Sequence, residues 1–253
     1  MIEPVEKLTG FLCYDTTMNR YARTEMLLGK EAMETLKQAH VAVFGIGGVG
    51  GYVVEALARS GIGRLDIIDN DTVSITNINR QIIALEDTIG QLKVDVMEQR
   101  IHAINPEIEV TKQACFYLPE TSDSFDFSQY DYVVDCVDTV TAKIEIILQA
   151  KAHQVPIISA MGAGNKIDPA KMEVADIYQT SYCPLAKVMR RELKKRHIQH
   201  VKVVYSKEKP MQPKLPCEEN VAKKHVPGSM AFTPGVMGLI MASEIVKDLV
   251  NYR

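Results

Sequence analysis

The stretch His40-Val41-Ala42-Val43-Phe44-Gly45-Ile46-Gly47-Gly48-Val49-Gly50 decides the fold. Its first five residues form a short apolar strand. From Gly48 to Arg59, Val49, Val53, Ala56 and Leu57 recur at helical spacing. The turn between them fits G-x-G-x-x-G, which lets the backbone approach a phosphate closely and packs helix against strand. The helix start also offers unpaired N–H groups and a positive dipole end to an anion. The next strand, 64–68, ends at Asp69, nineteen residues past Gly50, where an acid can bind ribose hydroxyls. Gly45, Gly47, Gly48, Gly50 and Asp69 are therefore expected to hold a nucleotide. A glycine turn that only connects two elements would not require strand, helix and acid together. The loop alone does not separate NAD from ATP.

Working outward, strands and helices alternate. A helical lead-in covers 21–38, and a helix with Val96, Ile101 and Ile104 covers 92–104 before Pro106. Strand-like segments fall at 108–110, 132–134 and 155–159, with a helix over 141–153. The alternation predicts an α/β, Rossmann-like doubly wound and mostly parallel sheet, covered on both faces by helices. The strand ends carry Gly45, Asp69, Asp135 and Asp138, where ligands bind in open sheets. Beyond Gly164 come possible strands at 172–177 and 201–205, a basic helix at 184–197, a proline-rich lid-like loop at 209–227 and a closing apolar helix at 233–249. The expected organisation is one adenylating domain over 1–253, with a nucleotide-binding half at 18–165 and a substrate-facing half at 166–253.

Composition narrows the class. Of 253 residues, 46% are hydrophobic and 24% charged, as in an ordinary globular protein. Glu3 and Glu6 precede any apolar run, and Gly235 to Met241 is too short to span a bilayer, so neither a signal peptide nor a membrane partner is expected. The five cysteines (Cys13, Cys115, Cys136, Cys183 and Cys217) lack C-x-x-C spacing, which argues for a reducing cytoplasm and against a zinc ribbon. His153, His197, His200 and His225 show no metal-ligand spacing with the cysteines. The overall charge of −3 conceals ten Lys/Arg against two acids between Ala186 and Lys214, a local net of +8. Such a stretch in an acidic chain suggests a polyanion site.

A second group of residues bears on the chemistry. Arg80 follows the ribose acid, Lys93 starts the next helix and Asp138 lies past a strand end. Two cations and one metal-binding carboxylate suit nucleotidyl transfer, which runs on positioning and electrostatics. Asn77 and Asn79 can donate amide hydrogens to phosphate oxygens. Singly, Arg80 reads as a surface charge, Lys93 as a solvated helix residue and Asp138 as an N-cap. Together they point to ATP being split rather than NAD being reduced.

Gly45-x-Gly47-Gly48-x-Gly50, Asp69-Asn70-Asp71, Asn77-x-Asn79-Arg80-Gln81, Gly90-x-x-Lys93 and Asp135-Cys136-x-Asp138, with Arg20-Tyr21-Ala22-Arg23, resemble the ubiquitin-activating-enzyme-like adenylyltransferases over roughly 18–165. The resemblance implies ATP and Mg2+, with Asp69 on the ribose, Arg80 and Lys93 on the phosphates and Asp138 on the metal. It extends the ATP contacts to Asn70, Asp71, Asn77, Asn79 and Gln81. It also implies a homodimer in which Arg23 reaches into the partner's site. Arg59-Ser60-Gly61-Ile62-Gly63, Ala160 to Lys166 with Asp168-Pro169, Pro184-Leu185-Ala186 and Val203 to Pro210 are similar to the branch that dehydrates threonylcarbamoyladenosine on tRNA. That branch activates the threonylcarbamoyl carboxylate with ATP and closes the ring.

On this reading Lys187, Arg190, Arg191, Lys194 and Lys195 share a helix face that binds tRNA phosphates. The bland alternative is a solvated charged face. A second hypothesis keeps the fold and activates the C-terminal glycine of a ubiquitin-like sulfur carrier, making a sulfur-relay or carrier protein a partner to test. A third is a Rossmann oxidoreductase. The absent zinc cysteines and the basic helix favour tRNA over the carrier. Cys217 lies on the lid-like loop with no sequence neighbour that would lower its pKa. Ring closure by a neighbouring nitrogen at high effective molarity needs no thiol.

Overall fold

The computed structural model describes residues 19–215 and 227–252. Cys13, Cys217, His225 and most of the lid-like loop at 209–227 lie outside the described residues.

Every residue of β1 (His40–Phe44) is buried, so the strand is covered on both sides. Val41 and Val43 enter one core cluster, Ala42 and Phe44 the other. That alternation is the period-2 geometry of a strand between two helical layers. β1 pairs in parallel with β2 (Arg64–Ile68) on one side and β4 (Tyr132–Asp135) on the other. β3 (Glu109–Gln113) extends the sheet past β2, and β5 (Ile157–Ala160) extends it past β4. Beyond β5 lie β7 (Lys202–Ser206) and β6 (Met172–Asp176), giving the order β3-β2-β1-β4-β5-β7-β6. Only the edge strand β6 runs antiparallel, against β7. Strands from both halves of the chain thus form one sheet.

Helices α3 (Gly50–Ser60), α4 (Lys93–Ile104) and α7 (Phe232–Leu249) cover one face through Val53, Leu57, Met97, Met237 and Met241. Helices α5 (Val140–Ala152) and α6 (Pro184–Lys195) cover the other through Ile146, Ile147, Met189 and Leu193. An aromatic cluster of Phe44, Tyr117, Phe125 and Phe127 fills the second face beside β1. The strand order reverses between β1 and β4, and the carboxyl ends there form the crevice in which open sheets bind ligands.

Several expected boundaries move. The lead-in is two helices, α1 (Ala22–Leu28) and α2 (Lys30–Gln38), because Gly29 at φ +83° turns the chain. The glycine-loop helix begins at Gly50 rather than Gly48. The strand expected at 108–110 runs from Glu109 to Gln113, and the basic helix stops at Lys195, with His197 at φ +58° beyond it. Among the described residues, no helix is long and apolar enough to cross a membrane.

Candidate active site

The glycine loop is folded onto its neighbours. Gly45 has φ +89°, and a Cβ there would lie 2.8 Å from the Cys136 carbonyl atoms. A Cβ on Gly50 would lie 1.8 Å from the Gly45 oxygen. No side chain fits either position, and β1 is thereby locked against the turn that follows β4. At Gly47 a Cβ would meet only the Gln81 amide nitrogen, 4.0 Å away, so the loop's upper side stays open.

Asp69 secures the same loop from β2. Its Oδ2 accepts the Ile46 N–H at 2.7 Å and its Oδ1 accepts the Asp71 N–H at 2.9 Å. Lys93 stands beside it, buried, with Nζ 2.7 Å from Asp71 Oδ2 and 3.8 Å from Asp69 Oδ1. Burial raises the Asp69 pKa above the ordinary carboxylate value, while Lys93 and the two N–H groups oppose that rise. Lys93 is therefore held between the two acids rather than extended alone into the crevice. Asn70 is exposed between them.

The 77–81 motif forms a tight turn over the loop. Asn77 is buried, and its Oδ1 accepts the Ser74 N–H at 3.1 Å, capping a turn of 3-10 helix at Ile75–Asn77. Arg80 lies against Gly48, its Cγ 3.4 Å from where a Cβ would be. Its guanidinium donates to the Thr76 carbonyl at 2.8 Å and to Asn79 Oδ1 at 3.0 Å. The Asn79 amide donates to the Ser229 carbonyl at 3.1 Å, tying the turn to the segment before α7. Gln81 is buried, and its Oε1 has no hydrogen-bond partner among the described residues.

Asp138 is exposed past the end of β4, where its Oδ1 accepts from the Thr139 hydroxyl at 3.4 Å. Beneath it lies a group of which the sequence singled out only Asp135, as a strand-end ligand position, and that residue proves to be fully buried. Asp135, Lys143 and Ser159 are fully buried and joined, with Lys143 Nζ 2.9 Å from Asp135 Oδ2. Lys143 sits at helix spacing among apolar residues, and only the β4–β5 pairing brings Ser159 to it. Cys136 packs under Gly50, and loss of hydration pushes its thiol pKa well up, so it is poorly suited to act as a nucleophile.

No group of three or more metal-ligating side chains occurs among the described residues. Mg2+ is usually held by one or two carboxylates together with substrate phosphates. A single exposed carboxylate at Asp138, just past the end of β4 beside the strand that leads into the glycine loop, fits that donor set.

Asn165 lies in the stretch from Ala160 to Lys166 that resembles the dehydrating branch, but the sequence assigned it no role of its own. Its N–H donates to the Gly228 carbonyl and its Oδ1 accepts the Gly228 N–H, both at 2.7 Å, while its carbonyl accepts the Met211 N–H at 2.8 Å. Both described ends of the long loop are joined there.

Arg23 lies outside this cluster. It is exposed on α1, which is anchored by Arg20 to the Ile104 carbonyl and by the Tyr21 hydroxyl to the Ala58 carbonyl, each at 3.0 Å. Beside it Met26 and Leu27 are 84% and 85% exposed.

The basic helix divides. Lys187, Arg191, Lys194 and Lys195 are exposed on α6. Arg190 turns inward and donates to the Thr180 carbonyl at 3.0 Å, so it leaves the outward face. Glu192 lies within 3.2 Å of Arg191, 2.9 Å of Lys195 and 3.1 Å of Arg196. Hydrogen bonds from Lys195 and Arg196 hold its pKa down to about 2. Lys202 does not join this surface, since it pairs with Asp248 at 2.7 Å.

The ThiF family model matches residues 21–253. The chain is 44% identical to the tRNA threonylcarbamoyladenosine dehydratase of Bacillus subtilis (strain 168), over 92% of this chain and 96% of that protein. It is 33% identical to the molybdopterin-synthase adenylyltransferase of Escherichia coli (strain K12), over 57% of this chain and 59% of that one. Among solved structures it matches the E. coli tRNA N6-threonylcarbamoyladenosine dehydratase TcdA in complex with ATP, with TM-score 0.84 and 34% identity over 92% of this chain and 94% of that one.

Proposed function

The chain belongs to the ThiF family, and we propose that it is an ATP-dependent enzyme that adenylates the threonylcarbamoyl carboxylate of a modified tRNA adenosine and closes it into a ring. The observation that carries this reading is the extent of the likeness. Similarity to the Bacillus subtilis dehydratase runs over 92% of the chain, whereas similarity to the molybdopterin-synthase adenylyltransferase covers 57%.

The site supports the chemistry step by step. Asp69 accepts the ribose hydroxyls while the glycine loop and the start of α3 face the phosphates. Arg80, Asn77, Asn79 and Gln81 line the phosphate side, and Lys93 exchanges its carboxylate partners for phosphate oxygens when ATP enters. Asp138 would hold Mg2+, which supplies positive charge at the α-phosphate. The substrate carboxylate attacks the α-phosphorus and pyrophosphate leaves. The neighbouring nitrogen then attacks the acyl carbon, AMP departs with one carboxyl oxygen, and the nitrogen loses a proton. Net loss of one water follows, without a thiol intermediate, because the ring-closing group is held at high effective molarity.

Two partners follow. The exposed face of α6 bears Lys187, Arg191, Lys194 and Lys195 for tRNA phosphates. A second copy of the chain covers α1, where Met26 and Leu27 flank Arg23, and a groove of about 350 Å3 lined by Leu28, Ala56, Leu239, Ala242 and Val246 lies on the same side. The test is AMP release from Mg-ATP with one acceptor at a time. Release with threonylcarbamoyladenosine-bearing tRNA supports the reading. Release only with a Gly-Gly-ended carrier protein rejects it.

A further inference from the structure

The end of β4 contains more charge than its packing requires. Asp135 accepts the Ser159 hydroxyl at 2.5 Å and the Lys143 ammonium at 2.9 Å on one oxygen, and the Val137 N–H at 3.3 Å on the other. Lys143 in turn donates to the Val137 carbonyl at 3.1 Å. Val137 is thus gripped at both its N–H and its C=O by one buried ion pair. The preceding residue is fixed as well, because the Cys136 N–H donates to the Phe44 carbonyl at 2.8 Å and its own carbonyl abuts Gly45. Only one peptide link separates this clamp from Asp138. The ammonium is carried by the first turn of α5, where the Lys143 N–H donates to the Thr139 carbonyl at 3.0 Å.

Stability alone does not account for the arrangement. A buried ion pair seldom outperforms apolar side chains of equal volume, since desolvation offsets most of the Coulomb attraction. A carboxylate that must meet a metal and a phosphate at a fixed distance does account for it, because misplacement by about 1 Å can cost about 100-fold in rate.

We infer that Lys143, with Asp135 and Ser159, is a positioning residue for the reaction: it fixes the Val137 peptide and thereby aims the Asp138 carboxylate at the nucleotide. This inference rests on the metal-binding role proposed for Asp138.

The test uses the full chain with Lys143→Met, which keeps the length of the side chain and removes its charge. Hydrogen exchange followed by mass spectrometry on peptides spanning 134–140 reports the clamp directly, and steady-state kinetics report its consequence. The inference predicts faster exchange at 136–139 with protection elsewhere retained. It also predicts a fall in kcat of about 100-fold, a tRNA KM within about threefold of wild type, and a higher Mg2+ requirement. A folded variant with wild-type exchange at 136–139 and wild-type kcat overturns it. If Lys143→Met does not fold, the charge-free double variant Asp135→Asn/Lys143→Met takes its place, with the same two outcomes. A wild-type enzyme inactive on modified tRNA would instead reject the functional reading, and the exchange measurement would then decide the clamp by itself.

Discussion

Asp69 carries opposed demands. It is sunk beside the glycine loop, where the ribose is proposed to bind, and burial raises its pKa. A carboxyl whose folded pKa lies above its unfolded value contributes stability at low pH, and that contribution is lost as pH rises through the folded pKa. At pH 7 to 8 the ionised carboxylate is therefore the costly form, and Lys93 retains Asp71 as a partner if Asp69 is neutralised. Asp69→Asn removes that cost but leaves one of the two backbone N–H groups facing an amide donor, so it should melt lower than wild type at pH 7.5 by calorimetry, and its ATP affinity should fall by about 10- to 100-fold for loss of charged hydrogen bonds. Unchanged ATP affinity would remove Asp69 from the ribose site. Arg80 and Asp138 are proposed to act on the transition state instead. Replacing either by Ala should lower kcat on the order of 100-fold or more with the fold intact, as measured by turnover and circular dichroism.

At the scale of elements, α6 is where charge count and usable surface diverge. Glu192 engages three cations, and with a pKa of about 2 it stays ionised throughout the physiological range. Glu192→Gln should therefore strengthen tRNA binding and steepen its salt dependence, because the freed cations add to counterion release. Charge reversal at Lys187, Arg191 and Lys194 should raise the tRNA KM without changing ATP binding. Filter binding across a salt series checks both. The inward turn of Arg190 was not legible in the sequence, since helical spacing gives a face but not a hydrogen-bond partner 10 residues upstream at Thr180. The same limit hid Lys143. In sequence it is a charge in a helix, and only β4 lying next to β5 brings Asp135 and Ser159 around it. By contrast, β1, the glycine loop and Asp69 were legible because their signals are local: a five-residue apolar run, glycines at fixed offsets and an acid at the next strand end. The antiparallel edge strand β6 carries no such local mark, as strand direction depends on the path of the chain through α6.

For the whole molecule, the account requires that sites be completed across a pair of chains and that tRNA be the acceptor. Arg23 stands on a helix held by Arg20 and Tyr21, on which Met26 and Leu27 are exposed. Mixing Arg23→Ala with Asp138→Ala subunits should recover up to about a quarter of wild-type activity, since random pairing leaves one site whole in half the dimers. No recovery, with dimers confirmed by sedimentation, would confine Arg23 to its own chain. The central claim is tested most directly by incubating the protein with Mg-ATP and tRNA bearing threonylcarbamoyladenosine, digesting the tRNA and measuring nucleoside mass. The account predicts a nucleoside lighter by one water, with AMP released in equal amount. Unchanged tRNA alongside an adenylylated Gly-Gly-ended carrier protein would contradict it.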